Sequence, residues 1–311
     1  RIGQGRAWIC RWRRDTIGSP APEDDPMLDR RTALKAAAAA AVLAKPLAAL
    51  HADEVAKKAD LKQSVCRWCY GRIPLDKLAA ECARLGYKSV ELLSPPEVLK
   101  VKEHGLTCAV LGGADIVHGL NREEYHPKIL DQLRKGIEFA ADNDVPNVIC
   151  MAGNRTLNGH TVSEEEGMEV CAKGLRQVVG LAEEKKVTLI MEGLNSKKDH
   201  KDYMYDKTEW GVKLCKKVGS PRFKLLYDIY HMQIMEGDVI ATVTKYKDYI
   251  AHYHTGGVPG RHEIDETQEL NYPAIVKALL KNGYAGFLGQ EFIPVRDPFS
   301  SLDQAHKICD V

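Results

Sequence analysis

From Leu61 to the end of the chain, short apolar runs alternate with longer segments whose apolar positions fall three and four residues apart, a helical period. The runs predict strands at Gln63 to Cys66, Ser89 to Leu93, Thr107 to Leu111, Asn147 to Met151, Thr188 to Glu192, Lys224 to Asp228, Ile250 to His254 and Gly286 to Glu291. The periodic segments predict helices near Leu75 to Leu85, Pro96 to His104, Pro127 to Asn143, Ser163 to Lys185, Lys207 to Val218, Val239 to Tyr249, Tyr272 to Lys281 and Ser300 to Ile308. Gly86, Gly105, Gly219 and Gly283 stand where a helix ends on a left-handed residue, and Pro127 and Pro273 suit first helical turns.

Strand and helix in alternation imply a parallel sheet with right-handed crossovers. Eight such units predict an α/β protein, a (β/α)8 TIM barrel, whose chemistry sits at the C-terminal strand ends. A doubly wound open sheet is the second architecture. The lack of a G-x-G-x-x-G turn after the first strand argues against its dinucleotide-binding form.

Residues 1–60 break the pattern. The first 26 residues carry no apolar period, and Met27 is the better start. After it come Arg30 and Arg31, a lysine, an apolar stretch from Ala36 to Ala44 and small residues near Ala49 to Ala52. That is the order of an export signal, too short in its apolar part for a stable membrane span. Arg30 to Lys35 resembles the twin-arginine motif, with Ala33 where Phe is usual. The expectation is a signal-bearing extension over 1–60, export to the periplasm, and one barrel domain over 61–311; an Ala-rich tail on a cytoplasmic protein is the other reading.

Lys+Arg 44 against Asp+Glu 43 leaves a net charge of +1, so there is no global basic field to attract nucleic acid. The nine cysteines sit mostly alone in apolar runs, as core thiols do. Cys66 and Cys69 form a lone CxxC, weak as a zinc signal and open to a disulfide or redox role.

The chemistry concentrates at four strand ends. In VTLIMEGL an ionised Glu192 inside an apolar run costs several kcal/mol unless it is paired or binds a metal. Asp228 in FKLLYDIYH, His254 in IAHYHTG and Glu291 in GFLGQEF recur at equivalent places. Three carboxylates and an imidazole suit a divalent cation, Mn2+ or Mg2+ first, with Zn2+ or Co2+ also open. Glu192 and Glu291 are the candidate proton-handling pair for isomerisation beside a carbonyl, with the cation as electrophile. His231, three residues past Asp228, is placed on the outgoing loop as a substrate contact, or is a satisfied core histidine. His252 shares a face with His254 and packs one layer deeper. Arg261 in GGVPGRHE clamps a substrate carboxylate or hydroxyls, or is a solvated loop residue. Glu263 and Gln233 are weaker candidates.

MEGLN (191–195), YDIYHMQ (227–233), HYHTGGVPGRHEID (252–265), ELNYPAI (269–275) and GYAGFLGQEF (283–292) resemble the hydroxypyruvate isomerase family, within the xylose isomerase-like TIM barrels. The resemblance covers most of the chain after Leu61, including VELL (90–93) and MAGN (151–154). It implies a divalent-metal isomerase that interconverts hydroxypyruvate and tartronate semialdehyde through an enediolate. Glu192 and Glu291 are then acid and base as well as metal contacts, Asp228 a ligand, and His231 and Arg261 substrate contacts. His254 departs from the hydroxypyruvate-converting branch, where Gln often stands, and matches the ketose 3-epimerases, which use His as a ligand there. A ketose 3-epimerase or an inosose isomerase or dehydratase is therefore the first alternative. A non-catalytic binding protein on the same barrel is the second. An apurinic endonuclease, which needs a trinuclear zinc centre and a basic face, is disfavoured. The expected partner is a small hydroxy-carbonyl compound or sugar; a homo-oligomer is allowed.

Overall fold

The computed structural model describes residues 61–311, and the twin-arginine-like leader lies outside the described residues. Eight parallel strands form the central sheet: β1 (Lys62–Cys66), β2 (Ser89–Glu91), β3 (Val110–Leu111), β4 (Asn147–Cys150), β7 (Thr188–Glu192), β8 (Phe223–Asp228), β9 (Ile250–Thr255) and β10 (Phe287–Gln290). Their order is β2-β1-β10-β9-β8-β7-β4-β3. Parallel bridges from Ser89 to Thr107 and from Leu93 to Leu111 join the two ends and close the ring. β5 (Thr156–Leu157) and β6 (His160–Thr161) form a small antiparallel hairpin outside it. This is the TIM barrel that the alternating pattern predicts.

The helices form where their apolar stripes require burial. Leu75–Leu85 buries Leu75, Leu78, Ala79 and Cys82, a spacing of three and four, and stops at Gly86 with φ +97°. Tyr272–Lys281 buries Tyr272, Ile275, Val276 and Leu279, with the Asn271 side chain accepting from the Ala274 amide at its start. β7 is buried along its whole length, as a strand covered on both faces must be.

Several expectations change. The strand expected over Thr107 to Leu111 is only Val110–Leu111, and the helix expected over Val239 to Tyr249 stops at Lys245, with a separate 3-10 turn at Lys247–Tyr249. The helix expected over Ser163 to Lys185 is two, Glu164–Arg176 and Val179–Lys185. Between them the Gln177 and Val178 amides bond back only three residues, to Gly174 and Leu175, so the first helix tightens and ends. The segment after β8 is not a loop: Ile229–Met235 is helical from its first residue, because the Asp228 side chain accepts a hydrogen bond from the His231 amide at 3.1 Å. His231 therefore rides on a rigid first turn.

Register carries the site. Asp228 pairs with His254, and His254 pairs with Gly289, across three adjacent strands. A register shift between Leu225 and Leu226 accommodates an extra residue on β9 ahead of His252.

Candidate active site

Glu192 ends β7, Asp228 ends β8, His254 lies near the end of β9 and Glu291 follows β10 directly. Their ligand atoms all lie within 4.8 Å of one another, and all four residues are buried. His254 Nδ1 is 2.8 Å from Glu291 Oε2 and 3.4 Å from Glu192 Oε1. Yet neither His254 Nδ1 nor Glu192 Oε1 has an aligned hydrogen-bond partner. Buried polar atoms left without partners around a shared point, offered by three carboxylates and one imidazole, fit a hard-to-borderline divalent cation.

The electrostatics agree. Burial raises the pKa of Glu192, and facing Glu291 raises it further. Burial likewise drives Asp228 well above the ordinary carboxylate range, although Arg261 opposes it. For Glu291 burial is overcome by His254 and Arg261, which hold it well below. Burial opposes charge on His254, but Cys66, Glu291 and Glu192 keep the imidazole well above its usual value. Three carboxylates thus crowd around too little positive charge, a deficit that a divalent cation removes.

Arg261 lies inside this cluster. Its Nη2 donates to Glu291 Oε2 at 2.7 Å and to Asp228 Oδ2 at 3.1 Å, and its Nε has no partner. The guanidinium sits 5.0 Å from the Trp68 ring and 5.2 Å from the Tyr230 ring, a cation–π clamp that fixes its plane. Its backbone has φ +58°, so the loop holds this arginine in a left-handed conformation. His231 is fully buried 3.7 Å from Asp228, with Nε2 unpartnered; burial, and then Arg261, push its pKa well down, so the ring is neutral. Glu263 instead accepts from the Val295 and Arg296 amides and Ser301, and Gln233 bonds Glu269. Cys66 and Cys69 are free thiols.

Sequence reasoning missed a deeper layer. Glu91 on β2 is wholly buried, and its Oε1 takes hydrogen bonds from His254 Nε2 at 2.7 Å and His252 Nε2 at 2.8 Å. Burial works against charge on Glu91, but the two histidines hold its carboxyl well below the usual range. Because His254 gives Nε2–H to Glu91, its Nδ1 is the atom left for a cation, the familiar carboxylate–histidine–metal arrangement. Gly289 makes the room: a Cβ there would stand 2.7 Å from both Glu91 Oε1 and His254 Cδ2. Trp68 was also missed; its indole donates to Glu291 Oε1 at 2.6 Å. The signal for Glu91 was present in the VELL run, since a carboxylate flanked by Val90, Leu92 and Leu93 poses the same question as Glu192. A separate cavity of about 560 Å³ lies between Leu111, Val148 and the His126–Asp142 helix, and none of the carboxylate cluster lines it.

A closed parallel barrel with a cation-competent carboxylate centre at its C-terminal strand ends defines a class of enzymes. The chain belongs to the xylose isomerase-like TIM barrel family, whose model matches residues 79–308. It is 30% identical over 232 residues to a 2-oxo-tetronate isomerase of Cupriavidus necator, covering 71% of this chain and 87% of that protein. It is also 30% identical over 228 residues to the hydroxypyruvate isomerase of Escherichia coli, covering 70% and 85%. Among solved structures, AP endonuclease, family 2, from Brucella melitensis shares the fold with a TM-score of 0.69 at 23% identity, covering 78% of this chain and 97% of that one.

Proposed function

We propose that the protein is a divalent-cation-dependent isomerase of small 2-oxo hydroxy acids, with hydroxypyruvate and tartronate semialdehyde as its substrate pair. The observation that carries this reading is the convergence of Glu192, Asp228, His254 and Glu291 within 4.8 Å. The relatives with isomerase names support it. A cation held by those four residues, Mn2+ or Mg2+ by donor type, would supply positive charge to a substrate oxygen that becomes negative.

The remaining work falls to the chain. The reaction moves a proton from C3 of hydroxypyruvate to C2, while the O3 proton passes to O2, through an enediolate. Glu192 and Glu291 are two carboxyls able to take the carbon-bound proton and return one to the neighbouring carbon. Neutral His231 would offer Nε2 to the oxygen that gathers charge, and Arg261 would take the substrate carboxylate, a reading supported by the unpartnered His231 Nε2 and Arg261 Nε. Trp68 and Tyr230 keep that guanidinium in plane.

A ketose 3-epimerase is the second reading, favoured by the His254 imidazole facing the carboxylates. The test is metal analysis of the purified full chain, then turnover on hydroxypyruvate, 2-oxo-tetronate and a ketose panel. Glu192→Gln and Glu291→Gln are each expected to lower turnover by about 10²–10⁴-fold. Full activity in both variants refutes the proton-handling assignment, and activity on ketoses alone selects the epimerase.

A further inference from the structure

Asn195 lies three residues past the end of β7 and is fully buried. Its amide orientation is fixed without reference to the site. Oδ1 accepts from the Lys198 amide at 3.1 Å and the Asp199 amide at 2.9 Å, so Nδ2 must face the other way. There Nδ2 meets Asp199 Oδ2 at 2.8 Å and His231 Nδ1 at 2.7 Å. Tyr230 also donates to Asp199 Oδ2, at 2.7 Å, and anchors the far end of this chain.

An amide NH2 only donates. His231 Nδ1 is therefore the lone pair of a neutral ring, and the ring's single proton sits on Nε2. That Nε2 is buried, has no partner and lies 3.7 Å from Asp228 at the carboxylate centre. His254 is held by Glu91 with the opposite presentation, its Nε2 turned away and its Nδ1 toward the centre. The two imidazoles thus face one point, His254 with its Nδ1 and His231 with an Nε2–H.

We infer that Asn195 is a positioning residue that locks His231 in the Nε2–H tautomer, so that His231 acts as a neutral hydrogen-bond donor to the substrate oxygen. The part about substrate rests on the function proposed above; the tautomer does not. Asp199 and Tyr230 keep the Asn195 amide from turning, and the first turn of the 229–235 helix keeps the ring from moving.

The experiment has two arms. Nitrogen-15 NMR of the full, metal-free chain labelled at histidine reads the tautomer of His231 directly, with His231→Gln giving the assignment. A protonated Nε2 and bare Nδ1 are expected, and a protonated Nδ1 overturns the proposal whatever the enzyme's substrate. In the second arm, Asn195→Asp at pH 8 supplies an acceptor to Nδ1 and turns the bare Nε2 toward substrate. It should lower kcat by about 10²–10³-fold, as loss of one donor to developing charge does, and change KM much less. Asn195→Ala leaves the Nε2–H form accessible and should lose less than Asn195→Asp. A purely structural role predicts the reverse order or equal losses, and that result overturns the positioning role. Inactivity of the wild type on every substrate offered, with the expected NMR result, refutes the function and leaves the tautomer standing.

Discussion

Replacing Glu91 by Gln tests whether the deeper layer governs the proposed cation site. The carboxylate has no exposed surface and holds two imidazole N–H groups at 2.7 and 2.8 Å. Gln keeps an oxygen acceptor for them but removes the charge that makes His254 a strong donor. Its amide nitrogen must also occupy the place of Glu91 Oε2, where no partner waits. Loss of such an outer carboxylate lowers metal affinity about 10–100-fold, or roughly 1.4–2.7 kcal/mol. Isothermal titration of the metal-free full chain with Mn2+ measures this, with circular dichroism melts confirming that the variant is folded. A Kd within about twofold of wild type refutes the idea that Glu91 orients and polarises His254.

The His254 proton gives a pH prediction whose sign follows from its raised pKa. Without metal, the charged imidazole contributes stability that is complete below the unfolded value of about 6.5 and lost as pH rises through the folded one. A cation at Nδ1 displaces that proton, so Mn2+ binding at pH 7 should release it and strengthen with pH; calorimetry in buffers of different ionisation enthalpy measures it, and zero release contradicts the assignment. Gly289→Ala pushes a methyl against Glu91 and His254 and should destabilise the fold by about 1–3 kcal/mol, with weaker Mn2+ binding. An unchanged melting temperature and affinity would show that the strand moves aside freely.

The eight-unit alternation exposed the barrel because each strand had to be apolar and each helix one-sided. Leu75 to Leu85 and Tyr272 to Lys281 match the observed helices end to end. The break at Gln177 and Val178 was hidden because the apolar period runs through it. The helix after Asp228 was hidden because a side-chain cap, not composition, starts it. At the site, Glu192, Asp228, His254 and Glu291 stood out as polar groups ending apolar runs, and the structure brings them to one point. Arg261 and His231 were legible as residues near that face. That Arg261 is bound to two of the carboxylates depends on loop geometry that no spacing encodes. Glu91 and Asn195 were passed over because their role is to hold histidines, and which nitrogen a histidine presents is set only by three-dimensional contacts.

The place of Trp68 makes the centre visible to light. Its indole N–H rests on Glu291 and its face carries the Arg261 guanidinium, while nearly half of the side chain meets solvent. The other tryptophan among the described residues, Trp210, is stacked on Tyr205 and buried. Anything that draws Glu291 or Arg261 toward a new partner alters the charge against the half-exposed indole of Trp68, so filling of the barrel mouth can be followed by a change in its emission.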